Sequence, residues 1–267
     1  MRLLIDDALV TAPFVAPLAA GWVTPAADLF VEARPRLRAA DVAPDDVALL
    51  PLAEVARLPE RAIVPDFAVV ADTIGAVQAR TPVRPDEIER TPARLLDVSG
   101  SGELLARATL TPFYGIEIVG WPRDDEPGAA EAQVTVVEGI EALRPVEGGY
   151  AEDLCRAWFI LVGLPFVSHV LVAPAGATRE TLQPALATLV ALQAAGEERR
   201  REWRAALAER EDVPRDRLIA LFQALRRSLG PDEQKGINAL FSRGLRGSSY
   251  PPVGPLRYLD EGVEGRG

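Results

Sequence analysis

The sequence contains few of the residues on which covalent scaffolds and metal sites depend. Its 267 residues include one cysteine, Cys155, and one histidine, His169. A single cysteine cannot form an internal disulfide, and these two residues cannot supply the four ligands of a structural zinc site. Lys235 is the only lysine, so Schiff-base chemistry would depend on that one residue. We therefore expect no disulfide scaffold, no metal centre and no cofactor.

Long apolar runs and an excess of basic residues are also missing. No segment approaches the roughly 18 apolar residues of a membrane-spanning helix. Residues 8–20 are apolar, but Asp6 and Asp7 precede them where a secretory signal has a positively charged start. The net charge of −10 disfavours binding to nucleic acid or to anionic membranes. We expect a cytoplasmic protein, monomeric or homodimeric, that binds neither.

Apolar residues make up 48% of the chain, which is enough for a substantial core. Short apolar segments predict strands at Arg2–Ile5, Leu29–Glu32 and Val47–Leu50, and residues 11–20 predict a helix after the first. Val47–Leu50 is apolar throughout, which is typical of a central strand covered on both faces. Strands separated by helices indicate an α/β protein with a largely parallel sheet.

The middle of the chain has strands and helices of its own. Proline-rich segments at 81–85 and 91–92 suggest a crossing from one lobe to another, and residues 173–176 suggest the return. We predict a discontinuous first lobe formed by residues 1–81 and 174–267 and an inserted second lobe formed by residues 82–173. Between these crossings the pattern predicts strands at 94–98, 133–137 and 164–172, and helices at 104–110 and 155–162.

The last part of the chain reads as a helical extension of the first lobe. Helices are predicted at 182–195, 197–210, 215–229 and 231–243. Residues 247–267 are rich in glycine and proline, which favours an irregular tail. In a two-lobed α/β protein, ligands bind in the crevice at the carboxyl ends of the strands. The cleft between the lobes is therefore where we expect a functional site.

The loop that follows the strand at 94–98 is the best candidate for ligand binding. Its residues Ser99, Gly100, Ser101 and Gly102 lead directly into a helix. Glycines let backbone N–H groups approach a ligand closely, and the helix N-terminus carries a partial positive charge. Two serine hydroxyls add further donors, so the loop suits a carboxylate or a phosphate. The alternative is an ordinary helix start capped by serine.

His169 is a second candidate. It could act as a general base facing the cleft, or it could be a hydrogen-bonded histidine in the core or at a sheet edge. Strand alternation would place it on the same face as Val167 and Leu171 and opposite Phe166, Ser168 and Val170. Cys155 lies on an apolar helix and reads as buried and inert. No catalytic residue can be assigned from spacing alone.

Several segments, taken together in order, resemble the menaquinone-biosynthesis family that contains chorismate dehydratase of the futalosine pathway. The matching segments are Asp46–Pro51, Val98–Ser101, Gln133–Gly139, Asp153–Trp158, Gly163–Val167 and Leu229–Glu233. The resemblance implies a type 2 periplasmic-binding-protein fold and the conversion of chorismate to 3-enolpyruvyl-benzoate by elimination of water. It also implies a small carboxylate ligand in the cleft, bound by the Ser99–Gly102 loop with help from Thr11 and Thr73.

Some polar positions of that family are apolar here. By hand alignment they fall on Val10, on Pro51 or Leu52, on Ala76 and on Ile140. Each lost donor can cost a large factor in rate, so a non-catalytic relative that binds a small carboxylate is the alternative function. A third hypothesis uses the C-terminal helices as a partner surface. Exposure of Leu218, Leu221, Phe222 and Leu225 would favour it, whereas their helical spacing favours an intramolecular core.

Overall fold

The computed structural model describes residues 1–259, so part of the predicted irregular tail, residues 260–267, lies outside the described residues. Twelve strands lie within this range, most of them in two sheets. The larger sheet contains β1 (Arg2–Asp6), β2 (Phe30–Arg34), β3 (Val47–Pro51), β4 (Ala62–Ala71), β11 (Phe166–Ala173) and β12 (Arg257–Tyr258). The smaller sheet contains β5 (Val77–Thr81), β7 (Ala93–Leu96), β9 (Val134–Glu138) and β10 (Tyr150–Asp153). A separate pair is formed by β6 (Arg90–Thr91) and β8 (Glu117–Ile118).

The larger sheet has the strand order β12-β4-β11-β3-β1-β2. Strand β1 pairs in parallel with both β2 and β3, as the sequence pattern predicts. The sheet is mixed rather than largely parallel, because β12 pairs in parallel with β4 while β11 returns from the smaller sheet and pairs antiparallel with β3 and β4. The sequence pattern did not reveal β4, in which Pro65 and Asp66 interrupt the apolar run.

The smaller sheet has the order β10-β5-β9-β7, with β5 antiparallel to β10 and β9. Strand β5 belongs to this sheet although it precedes the predicted lobe boundary at residue 82. The chain passes directly from β4 to β5 through residues 72–76, with no helix between the two sheets. The second passage, from α4 back to the larger sheet, runs through residues 163–165.

Eight α-helices of the described chain surround the sheets. They are α1 (Ala12–Ala19), α2 (Gly100–Tyr114), α3 (Ile140–Leu143), α4 (Leu154–Val162), α5 (Arg179–Glu198), α6 (Arg200–Glu211), α7 (Arg215–Ala224) and α8 (Pro231–Gly244). The predicted C-terminal helices are confirmed, but α7 ends five residues before the predicted end at residue 229. Beyond Leu225 the chain is extended, and Arg226 exchanges backbone hydrogen bonds with Val70 of β4.

Apolar side chains form two cores, one on each face of the larger sheet. Along β3, Ala48 and Leu50 pack into one core while Val47 and Leu49 pack into the other, which confirms a central strand covered on both faces. The C-terminal leucines and Phe222 named above as a partner surface are buried in the first of these cores. Their apolar face is therefore intramolecular. No helix within residues 1–259 has the length and hydrophobicity needed to cross a membrane.

Candidate functional site in the interlobe cleft

The predicted binding loop has the expected strand–loop–helix geometry. Strand β7 ends at Leu96, and α2 begins at Gly100. Ser99 has extended backbone angles and its hydroxyl accepts a hydrogen bond of 3.1 Å from Gly102 N, so it is the N-cap of α2. The free backbone N–H groups at this helix start and the partial positive charge of the helix dipole both favour a negatively charged group there.

The anion at this helix start is a side chain of the protein itself. Ser99 N donates to Glu138 Oε2 at 2.6 Å, and the Ser99 hydroxyl donates to Glu138 Oε1 at 3.0 Å. A Cβ atom at Gly102 would lie 2.6 Å from Glu138 Oε2, so glycine lets the carboxyl group approach. Burial raises the pKa of Glu138, and these hydrogen bonds together with the nearby His169 oppose the rise. The predicted donors are therefore engaged by Glu138.

The other loop residues hold the lobes together. Ser101 is fully buried, and its hydroxyl donates to Ser168 O at 2.8 Å and accepts from Ala53 N at 3.2 Å. A Cβ at Gly100 would overlap the Tyr250 hydroxyl and lie 2.9 Å from Ala53 Cβ. Ser101 thus fixes the position of β11 relative to the start of α2.

The two threonines predicted as helpers lie away from the loop donors. Thr11 is fully buried, where its hydroxyl donates to Asp6 O at 2.5 Å and accepts from Ala8 N at 3.1 Å. It therefore stabilises the turn between β1 and α1. Thr73 is exposed on the turn between β4 and β5. Within residues 1–259, neither threonine lies among the residues that line the cleft cavity described below.

His169 is buried in the larger sheet and is 1% exposed. Its Nε2 lies 3.0 Å from Asp6 Oδ2, and its Nδ1 lies 3.1 Å from Ser168 Oγ. The predicted alternation is wrong here, because β11 shifts register between Val167 and His169 and again between Val170 and Leu171. As a result Val167 packs in the first core and Leu171 in the second.

A small cavity lies between the two sheets, beside this cluster. Its volume of about 10 Å³ is room for about one water molecule. Its polar lining residues are Glu138, Ser168 and Cys155, and burial raises the pKa of the Cys155 thiol. The remaining lining residues are Val10, Ala71, Gly75, Ala76, Val77, Phe166 and Leu225. Because the cavity has room for about one water molecule, a larger molecule can enter only if the lobes separate.

Asp153 orders the wall of this cavity next to Cys155. One carboxylate oxygen accepts from Cys155 N at 2.8 Å and from Arg156 N at 3.2 Å, which caps α4. The other accepts from Gly75 N at 2.9 Å, so the same side chain fixes the turn between β4 and β5. Burial raises the pKa of Asp153 despite these donors. Among residues 1–259, no three histidine, cysteine or carboxylate side chains converge as a metal site.

A family described as menaquinone biosynthesis has a model that matches residues 39–246 of the chain. The chain belongs to the menaquinone-biosynthesis family. The matched range includes the loop before α2, Glu138, Asp153 and β11, and therefore most of the candidate site. No functionally curated protein matches the chain.

Solved structures place this member of the family in the periplasmic-binding-protein fold. Protein AF1704 from Archaeoglobus fulgidus has a TM-score of 0.67 and 12% identity, over 92% of this chain and 97% of that one. The periplasmic aliphatic sulphonate binding protein SsuA from Escherichia coli has a TM-score of 0.58 and 13% identity, over 100% of this chain and 96% of that one. The Candida albicans CA3427 gene product has a TM-score of 0.56 and 11% identity, over 99% of each chain. At these identities the likeness concerns the fold.

Two of the positions where the resemblance leads us to expect polar groups, Val10 and Ala76, line the cavity. Pro51, Leu52 and Ile140 lie outside the lining that the described residues form. A larger open groove of about 440 Å³ lies on the surface between α8 and residues 245–254, with Arg246 as its charged lining residue.

Three polar residues of this region were not predicted as site residues: Glu138 and Ser168, which line the cavity, and Asp6, which contacts His169. A signal existed for two of them, because Asp6 and Glu138 each occupy the last position of an apolar strand. Such strand ends meet at the cleft in α/β proteins. Ser168 gave no signal, since its orientation depends on the register shift in β11.

Proposed function

We propose that this chain acts in menaquinone biosynthesis by binding a small carboxylate, with chorismate as the first candidate, in the interlobe cleft. We further propose that it eliminates water from that ligand, as does the chorismate dehydratase that the sequence resembles. The observation that carries this proposal is the Glu138 carboxyl group, which is held by Ser99 at the start of α2 and lines the cavity between the sheets.

Glu138 suits the proton transfers of a water elimination. Burial raises its pKa, which favours the protonated form and hence the form that can donate a proton to a leaving hydroxyl. Its hydrogen bonds to Ser99 keep the carboxyl group in one orientation, so little reorganisation is needed during the reaction. A neutral Glu138 also removes the charge repulsion that an ionised carboxylate would exert on an anionic ligand.

Chorismate is far larger than the one-water cavity, so the proposal includes an opening of the cleft. Two short connections, residues 72–76 and 163–165, link the sheets and are the natural hinge segments. Closure around a ligand by such hinges is a general property of binding proteins with two lobes. Ligand entry would separate Glu138 on β9 from Ser168 on β11, and closure would bring both against the ligand.

The second candidate function is a non-catalytic relative that binds a small carboxylate. The observation that favours it is the apolar character of Val10 and Ala76, together with the engagement of the Ser99 donors by Glu138. Fewer free donors would then stabilise the charge that develops during an elimination. In that case chorismate or a related carboxylate would bind without being converted.

Glu138→Gln separates the two functions. A glutamine keeps an oxygen that accepts from Ser99 but cannot donate the acidic proton. We expect the affinity for chorismate, measured by thermal shift, to be unchanged or higher. We expect kcat to fall about 100-fold or more. Glu87→Gln removes an exposed carboxylate of the same lobe and serves as the control. Wild-type binding without turnover would favour the second function, and absence of binding would contradict both.

A further inference from the structure

Ser168, His169 and Asp6 form a continuous hydrogen-bonded chain from the cavity into the larger sheet. Ser168 is 7% exposed and lines the cavity, and its Oγ lies 3.1 Å from His169 Nδ1. His169 Nε2 lies 3.0 Å from Asp6 Oδ2, while Asp6 Oδ1 accepts from Leu37 N at 2.7 Å. The two carboxylate oxygens of Asp6 therefore have separate partners, and the carboxyl plane is fixed.

This arrangement determines which nitrogen of His169 carries a proton. An ionised Asp6 carboxylate can only accept, so the hydrogen bond to it requires a proton on Nε2. In the neutral imidazole Nδ1 is then an acceptor, and the Ser168 hydroxyl donates to it. When His169 is protonated, Nδ1 donates to Ser168 instead, and the Ser168 hydroxyl can turn to Val69 O, 3.3 Å away. The same three groups thus have two proton arrangements.

We propose that Ser168 Oγ is the proton-accepting group of the cleft, activated by His169 and Asp6. This inference rests on the proposed function and names the base that the elimination needs, with Glu138 as its acid. The class of substrate is a carboxylate that has an acidic C–H bond next to a carbon carrying a hydroxyl group. The logic is that of a serine hydroxyl activated by a histidine whose tautomer is fixed by an aspartate.

A ring C–H proton moves to Ser168 Oγ while the Ser168 hydroxyl proton moves to His169 Nδ1. The C–H electron pair forms the new ring double bond, and the bond from carbon to the leaving hydroxyl breaks as Glu138 donates its proton to that oxygen, releasing water. Asp6 stabilises the imidazolium. The proton then returns from His169 through Ser168 to Glu138, because both residues line the same cavity.

The charged groups that face His169 come from two other strands. Asp6 on β1 contacts its Nε2, and Glu138 on β9 is close enough for the two charges to interact. A protonated His169 is stabilised by both carboxylates when they are ionised. The transfer of a proton to His169 while Glu138 loses its own therefore creates a favourable pair of charges.

The single histidine makes the relay directly measurable. With histidine labelled by 15N, one imidazole is observed, and we expect the Nε2–H tautomer. Asp6→Asn replaces an oxygen that can only accept with an amide that can also donate, so it should no longer hold the proton on Nε2. An Nδ1–H tautomer in the wild type would contradict the relay.

Ser168→Ala tests the cavity end of the relay. It should lower kcat about 100-fold or more with little change in KM. Thr109→Val is the matched control, because Thr109 is a fully buried residue whose hydroxyl donates only to backbone oxygens within α2. A Ser168→Ala variant with kcat near that of the wild type would overturn the assignment.

A second experiment does not depend on chorismate, so it separates failure of the relay from failure of the proposed function. Methanesulfonyl fluoride should sulfonylate Ser168: an Oγ–S bond forms, the S–F bond breaks, fluoride leaves, and the hydroxyl proton goes to His169. We expect one added methanesulfonyl group, mapped to Ser168 by peptide mass, and at least tenfold slower labelling in Asp6→Asn. Labelling without chorismate turnover would keep the relay and refute the dehydratase. Absence of labelling at Ser168 would refute the relay.

Discussion

Glu138 is an acidic side chain in the place where the sequence predicts a bound anion. The helix start at Ser99–Gly102 attracts a negative charge, as its sequence predicts, because its first N–H groups are free of intrahelical partners. The sequence pattern could not reveal that β9 ends beside this loop, because β9 pairs with β5 and β7 through contacts distant in sequence. At the scale of residues, the chemistry of the loop was predictable and its partner was not.

The raised pKa of Glu138 predicts a specific pH dependence of stability. Because the folded-state pKa lies above the unfolded value, the folded state is favoured at low pH, and that advantage is lost as the pH rises through the folded pKa. Glu138→Gln cannot ionise. The difference in free energy of unfolding, variant minus wild type, should therefore increase as the pH rises from about 4 to neutral. Urea denaturation at several pH values measures it, and a constant difference would show that Glu138 titrates normally.

Gly75 predicts an effect of side-chain volume next to the cavity. A methyl group there would overlap the Cys155 thiol and lie 2.9 Å from Cys155 Cβ. We expect Gly75→Ala to lower the free energy of unfolding by about 1–3 kcal/mol, and the double variant with Cys155→Ala to recover part of this loss. Gly120→Ala is the control, since its nearest atom would be 3.9 Å away. Urea denaturation of the wild type, Gly75→Ala, Cys155→Ala and the double variant gives the coupling energy, and additive effects would contradict the close approach.

At the scale of elements, most helices and several strands followed from sequence patterns, and the exceptions have physical causes. The long α5 helix was predicted from the sequence pattern, and the structure adds Thr178 as its N-cap, because Thr178 Oγ1 accepts a hydrogen bond from Thr181 N. Residues 225–229 were predicted as helix because their periodicity continues that of α7. They instead pair with β4, since the open edge of a strand offers backbone hydrogen bonds that periodicity does not show.

The start of α4 yields a prediction at this scale. Asp153 accepts from two backbone N–H groups of α4 and from Gly75 N, so it joins the helix to the turn beside the cavity. We expect Asp153→Ala to lower the free energy of unfolding by about 2 kcal/mol, which is the upper end for loss of an N-cap, and Asp153→Asn to lower it less.

Thr178→Ala is the matched control for this experiment, because it removes an exposed cap at the start of α5. Its effect should be about 1 kcal/mol or less. Urea denaturation measures all three variants. Equal losses for Asp153→Ala and Thr178→Ala would show that the contact with Gly75 contributes nothing to stability.

At the scale of the whole molecule, the fold was predictable through resemblance, and the arrangement of its cleft was not. The order of segments such as Gly163–Val167 and Gln133–Gly139 indicated the family and therefore the two-lobed fold. The antiparallel return of β11 and its register shifts, which bring Ser168 and His169 to the cleft and to Asp6, depend on pairing between distant strands. Sequence alternation alone gave the wrong face for this part of β11.

The most direct test of the account is to incubate the purified protein with chorismate and to follow the loss of chorismate and the appearance of 3-enolpyruvyl-benzoate by chromatography with mass detection. The account predicts that each chorismate consumed yields one 3-enolpyruvyl-benzoate, at a rate that is proportional to protein concentration and about 100-fold or more lower in Glu138→Gln. Chorismate that stays intact and does not stabilise the protein against heat would contradict the central claim that this cleft binds and dehydrates it.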